Sequence, residues 1–508
     1  MKKQVNELKS GVILSYVNLG ISTLIPFFYT PVMLSMLGQA EYGLYSLSQS
    51  AVSYLSLLSF GFGSTIIRYI AKCRSEENRN EEESIFGFFL ALYCVLALLV
   101  GLCGIVIAFN IEPIFHRGLS DAELSKMKVL VLIMTFNTAL SFPISVFSSV
   151  ITAHEKYIFR KLVDMLSTVI APIANLIALY MGFASVGMAV AATIVQVSML
   201  PLSVLYCLKH LKIRPRFSKL PAGLIREMVG FSAFSFIGSI VDMLFWATDK
   251  VILGMLASST AVAVYNIGAT FNNMVMSVST SLSGVLMPRI TGMVVKNQDK
   301  NVLTELFIKV GRLQFIIVAL IVSGFAVFGQ TFILLWAGSE YREAYWVAIL
   351  TMFPLCIPLI QNTGHSIVVA QNKHQFRSIV YLIIAIVNVV STYILVPYMG
   401  IIGAALCSCI AYLLGQGIAM NWYYYYKTGI DIPLFWKNIG KMAIVPLGML
   451  ICGLWMQKYV ALTSWAEFFL AVVAYSAVYL VLMYRFTFNT YEKELIHAPV
   501  QKIVHRFR

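Results

Sequence analysis

One apolar stretch near the middle of the chain carries a row of polar side chains at helical spacing. Ser235, Ser239, Asp242, Trp246 and Asp249 follow one another at intervals of three and four, with Lys250 beside Asp249, so they line one stripe of a helix. Asp242 falls near the centre of a stretch long enough to cross a bilayer, where an ionised carboxylate costs about 2.5–3.5 kcal/mol. Such a group must face a polar cavity, pair with a cation or hold a proton. The chemistry open to it is uptake and release of H+ or Na+. Asp249 and Lys250 lie two turns nearer one end, where an interfacial ion pair or a snorkelling lysine explains them equally well.

Two neighbouring stretches are polar on one side. Tyr45, Gln49, Ser53, Ser56 and Ser59 mark the first, and Asn266, Asn273, Ser277 and Thr280 the second. Hydroxyl, amide and aromatic groups suit a sugar, although helix packing through small polar residues gives the same pattern. Arg68 and Arg289 end these two stretches and can grip a pyrophosphate through the planar guanidinium fork, or simply orient the chain by snorkelling. A further patch gathers Gln361, Asn362, Thr363 and His365. Pro26, Pro31, Pro143, Pro354 and Pro358 remove helix hydrogen bonds and permit kinks.

No catalytic constellation, metal-ligand spacing or cofactor motif accompanies these residues. The eight cysteines are scattered, and Cys407 and Cys409 point to opposite faces of a helix. The chain contains no G-x-x-x-x-G-K-[ST] loop, which argues against direct ATP coupling.

The elements that position the polar stripes are membrane helices. Of the 508 residues, 59% are hydrophobic and 12% charged, with a mean hydropathy of +0.81, too little polar surface to coat a soluble globule. At about 20 apolar residues per crossing, the chain offers about fourteen spans between residues 11 and 485, including 42–70, 225–255, 260–287, 376–399 and 401–425. With a cytoplasmic N-terminus, 31 of the 37 basic residues fall on the cytoplasmic side, which places both termini there. The net charge of +14 then orients the chain and meets anionic headgroups, and calls for no nucleic acid.

The chain also contains an internal duplication. Ala153, Lys156, Phe159 and Arg160 read A-x-x-K-x-x-F-R, and Ala370, Lys373, Phe376 and Arg377 repeat it 217 residues later. Leu34 to Leu37 with Tyr45 pairs with Leu253 to Leu256 with Tyr265, and Arg68 pairs with Arg289, at offsets of 219 to 221. Six spans separate the copies. Both copies therefore cross in the same sense, related by an axis along the membrane normal. The expected organisation is an N-lobe at 1–222, a C-lobe at 223–430, and two extra helices with a cytoplasmic tail at 431–508. The span-1 positions matching Asp242, Trp246 and Asp249 are Thr23, Phe27 and Thr30, so only one lobe carries the charges.

The L-G-x-x-E-Y-G-L-Y run from Leu37 to Tyr45, the G-F-G at Gly61 to Gly63 followed by Arg68 and Tyr69, the duplicated A-x-x-K-x-x-F-R, and Gly400-x-x-Gly403-Ala404-Ala405 carry a family resemblance. Across residues 5–430 the chain resembles the polysaccharide-transport branch of the multidrug/oligosaccharidyl-lipid/polysaccharide exporter superfamily. Wzx-type flippases belong to this branch; lipid II flippases and MATE exporters are more distant. The resemblance implies an all-α, V-shaped transporter in the bacterial cytoplasmic membrane that moves an undecaprenyl-pyrophosphate-linked oligosaccharide, such as an O-antigen, capsule or exopolysaccharide unit, by alternating access. Its partners would be the lipid-linked oligosaccharide, membrane lipids, H+ or Na+, and a polysaccharide polymerase or export machinery. Two extra spans are similar to those of lipid II flippases. The alternative is a MATE-type drug/cation antiporter, but many of these use an acid in span 1, and none stands there in this chain. A membrane enzyme would need a larger external loop.

Cysteine-accessibility mapping should find positions 38–41, 183 and 338–341 on the outer side and 75–83, 156 and 215–219 on the inner side. Outer labelling at 215–219 would overturn the orientation, because the densest run of basic residues lies there.

Overall fold

The structure is a computed structural model that describes residues 2–218, 221–296, 300–371, 374–460 and 462–495, and it is helical throughout, with no strand among them. Eleven of its helices are long and apolar enough to cross a membrane, or twelve if the bent pair Ala344–Ile360 and Asn362–Val368, which meet at 49°, is one span. Their surfaces match that medium. On helix Arg79–Phe109, Leu98, Leu102, Val106 and Phe109 are 60–72% exposed along one stripe, an apolar strip that lipid covers and water would not.

The contacts divide the chain into two compact units, Met1–Ala263 with Val396–Gly400, and Val264–Leu395 with Ile401–Arg508. The first unit contains α1 (Lys2–Leu37), α2 (Gln39–Ser53), α3 (Phe62–Ser75), α4 (Arg79–Phe109), α5 (Ile111–Phe115), α6 (Asp121–Ala153), α7 (Tyr157–Tyr180), α8 (Ala184–Leu205), α9 (Ala222–Trp246) and α10 (Thr248–Leu256). Where helices start in polar surroundings, side chains satisfy the orphan N–H groups: Asn78 accepts from Glu81 N, and Ser120 with Glu123 forms a capping box at α6.

Two predicted spans are not continuous. The stretch 42–70 is broken into α2, a 3-10 segment at Tyr54–Ser59, and α3, with Phe60 and Gly61 between them in the left-handed region at φ 49° and 69°. The G-F-G motif therefore starts a helix, and its first glycine takes a conformation that costs other residues energy. The stretch 225–255 breaks at Ala247, so Asp242 and Trp246 close α9 while Asp249 and Lys250 open α10.

The second unit continues from α11 (Ser259–Lys296), which begins in the first, through α12 (Lys300–Trp336), α13 (Ala344–Ile360), α14 (Asn362–Ala370), α15 (His374–Tyr412), α16 (Ile432–Met456) and α17 (Trp465–Phe486). The helical run Phe376–Thr428 has 53 residues, about 80 Å at 1.5 Å per residue and far longer than a ~30 Å hydrocarbon core. It contains a non-helical residue, Gly400, at φ 54° and ψ −134°. The last two helices are bolted to α12: Arg312 forms a bidentate ion pair with Glu492 at 2.6 and 2.8 Å, donates to the Thr487 carbonyl, and is buried with it. Tyr479 adds a 2.9 Å bond to the Ile316 carbonyl.

Glu41 and Gly43 show what part of the L-G-x-x-E-Y-G motif does. Glu41 receives Lys126 Nζ at 2.7 Å and both the hydroxyl and backbone N–H of Ser185 at the start of α8. Gly43 lets α2 press on α11: an added Cβ would overlap the Ser259 carbonyl and approach Ala263 N at 3.2 Å. Backbone cannot step aside as a side chain can. Gly43→Ala should therefore destabilise the purified protein by about 1–3 kcal/mol, read as a lowered thermal unfolding midpoint, while Gly20→Ala, with nothing within 4 Å of its added Cβ, should not. Equal midpoints would show that this packing is loose.

Candidate functional site

The broken second span runs antiparallel along α9 in the first unit, and a ladder of side-chain contacts records the register. Tyr54 and Thr248 share a 2.5 Å hydrogen bond, Ser53 donates to the Met243 sulfur at 3.2 Å, Phe60 packs on Phe236 at 5.0 Å between centroids, and Thr65 shares a 2.6 Å bond with the buried Ser232. Arg68 ends the ladder, its guanidinium 4.5 Å over the Phe231 ring and its side chain exposed. The cation–π contact holds the planar group while leaving its edges for ligands.

Asp242 is exposed on α9, as is Ser239 one turn before it, and Trp246 one turn later is half-buried. Gln49 is exposed on α2 and Ser56 on the 3-10 segment. Asp249 differs from Asp242: it is 1% exposed and sits in the first turn of α10, where the helix dipole favours a negative charge. Its neighbour Lys250 is half-buried. The structure thus separates the stripe into an exposed part, Ser239 and Asp242, and a packed part around Asp249.

The other candidates lie on α11. Asn273 and Thr280 are exposed there, and Asn266 and Ser277 half-buried. Arg289 lies on the same helix, but its side chain is outside the described residues. The neighbouring Asn272 is the packed one: it is 3% exposed and exchanges hydrogen bonds of 2.8 and 3.2 Å with Thr351.

Residues 8–294 match the family described as polysaccharide biosynthesis protein. The chain belongs to that family. A relative with the same reach, the uncharacterized membrane protein EpsK of Bacillus subtilis (strain 168), is 23% identical over 496 residues, 95% of this chain and 96% of its own length. The lipid II flippase MurJ in its inward closed conformation shares the fold, with a TM-score of 0.74, 16% identity, and coverage of 93% of this chain and 99% of that one. An inward-facing MATE multidrug resistance transporter of the MOP superfamily follows at a TM-score of 0.62 and 15% identity, covering 84% of this chain and 99% of its own. This member of the polysaccharide biosynthesis family is thus a multi-pass helical membrane protein that shares its fold with the lipid II flippase and the MATE transporter.

Several working residues escaped the reading of spacing alone. Ser232, three residues before Ser235, continues the spacing of the stripe, but its pairing with Thr65 is legible only once two helices are side by side. The break at Phe60 had a signal, two glycines two residues apart inside an apolar run.

Proposed function

We propose that the chain is a flippase that carries an undecaprenyl-pyrophosphate-linked oligosaccharide across the bacterial cytoplasmic membrane by alternating access, with both termini cytoplasmic. In this reading the run Phe376–Thr428 is divided at Gly400 and α11 is counted as a span, for fourteen spans in two six-helix lobes with two helices to spare. The observation that carries this reading is the row of exposed polar groups, Gln49, Ser56, Ser239 and Asp242, on otherwise apolar helices of a polysaccharide biosynthesis protein. Exposed amide and carboxylate groups on a helix surface are costly against hydrocarbon and favourable against water or a sugar.

In this mechanism the hydroxyl and amide groups hydrogen-bond the glycan, and Trp246 offers an apolar ring face. Arg68, held over Phe231, takes the pyrophosphate at the inner end. Asp242 binds H+ or Na+ when the site closes, because sealing an ionised carboxylate from water is costly, and releases it on reopening. Asp249 and Lys250 hold the start of α10. No ATP enters. A polymerase on the outer side would consume the product.

The test is polymer export in a strain lacking the native gene. Asp242→Asn should lower export at least about tenfold, the equivalent of about 1.4 kcal/mol, at normal membrane abundance, while Asp242→Glu retains part of it with a displaced pH profile. Arg68→Ala should weaken export and Arg68→Lys recover some, since charge survives without the fork. Wild-type export and pH dependence for Asp242→Asn would remove ion coupling from α9.

A further inference from the structure

The duplicated A-x-x-K-x-x-F-R element can be followed residue by residue into both units. In the first, the Phe159 ring stacks on Tyr206 with centroids 3.7 Å apart and planes 11° from parallel; in the second, Phe376 stacks on Tyr423 at 4.3 Å and 7°. A π-helical stretch begins at Tyr206 and another at Tyr424. Arg160 donates to Ser148 Oγ at 2.6 Å, and Arg377 donates to the His365 ring, twelve residues back in each case. Each partner maps onto its counterpart at the offset of 217.

The same offset carries Asp164 to Tyr381, and there the copies diverge. Arg160 Nη2 lies 3.0 Å from the Asp164 carboxylate, whereas the Arg377 guanidinium lies 4.8 Å over the Tyr381 ring. Ser148 has meanwhile become His365. The first arginine is therefore neutralised by a carboxylate, and the second is held by an imidazole and an aromatic face. Among the described residues no carboxylate pairs with Arg377. Its contact with His365 is made through Nη1, and the side chain is only half-buried, so Nε and Nη2 remain for a further ligand.

We propose that Arg377, positioned by His365 and Tyr381, is a phosphate seat in the second unit, and that Arg160 is its structural counterpart only. A guanidinium fork meets phosphate oxygens bidentately, and a tyrosine face beneath it fixes the plane without cancelling the charge. The ligand class is a pyrophosphate or phosphate headgroup, an identification that rests on the lipid-pyrophosphate reading above. The duplication supplies its own control. Tyr381→Asp restores to the second copy the carboxylate that silences the first.

The experiment measures binding of inorganic pyrophosphate to the purified full-length protein in neutral detergent by titration calorimetry, alongside polymer export by the same variants. Tyr381→Asp and Arg377→Gln should each weaken pyrophosphate binding at least about tenfold, as expected for losing a charge-assisted contact, and lower export. Tyr381→Phe and Arg160→Ala should bind as the wild type does. Unfolding midpoints show which variants are folded, and either of the first two suffices. Wild-type affinity in a folded Tyr381→Asp or Arg377→Gln variant would overturn the seat while leaving the flippase reading intact. Loss of affinity in those variants, with a wild-type protein that restores no polymer export, would uphold the seat and overturn the flippase reading.

Discussion

Hydrocarbon leaves a polar group no partner outside the protein, and that constraint shapes this chain from end to end. It turns the backbone into helices, since helices satisfy their own N–H and C=O groups. It makes each interruption informative. The described spans break at Phe60 and Gly61, at Ala247, between Ile360 and Asn362, and at Gly400. At the first two, hydroxyls and aromatic rings from the facing helix fill the register, as with Tyr54 against Thr248 and Phe60 against Phe236. Near the third, Asn421 gathers Gln361 at 2.8 Å and Trp436 at 3.0 Å, tying the bent span to the first of the two C-terminal helices. At three of the four breaks, side chains thus hold the helix ends.

The same constraint sorts the charges. Arg312 and Glu492 are both buried and survive because the pair is bidentate and further hydrogen-bonded; removing one partner would strand the other. Glu82 and His154, 2.6 Å apart, share a single hydrogen bond that ties the start of α4 to the end of α6. Asp242 and Arg68 are exposed instead. Exposure, at Asp242 as at Arg68, sets these residues apart from the buried Arg312–Glu492 pair.

Much of this architecture was legible in the residues themselves. Composition and hydropathy settle the all-helical membrane class, and the motifs settle the family, because both signals are spread over hundreds of positions. The duplication was legible too, down to Phe159 and Phe376, whose rings stack alike in both units. What stayed hidden was local and three-dimensional. Asp242 and Asp249 look equivalent on a helical wheel, yet a break at Ala247 leaves one exposed and buries the other. Asn272 and Asn273 are adjacent and amphipathic periodicity cannot rank them, but one is locked to Thr351 and the other is exposed. Glu41 could be recognised as part of a motif without revealing that it caps α8.

The central claim is that the exposed face of α9 meets water rather than lipid. It is tested most directly by placing single cysteines at Ser239 and Ile237 in a chain whose eight native cysteines are replaced, and exposing membranes to a charged, water-borne thiol reagent. Such reagents act on the thiolate, which forms in water and not in hydrocarbon. The account predicts labelling at position 239, slowed by lipid-linked oligosaccharide, and little labelling at Ile237, which is also exposed but lies two residues round the helix. Equal protection at both positions would place the Asp242 face in lipid and contradict the account.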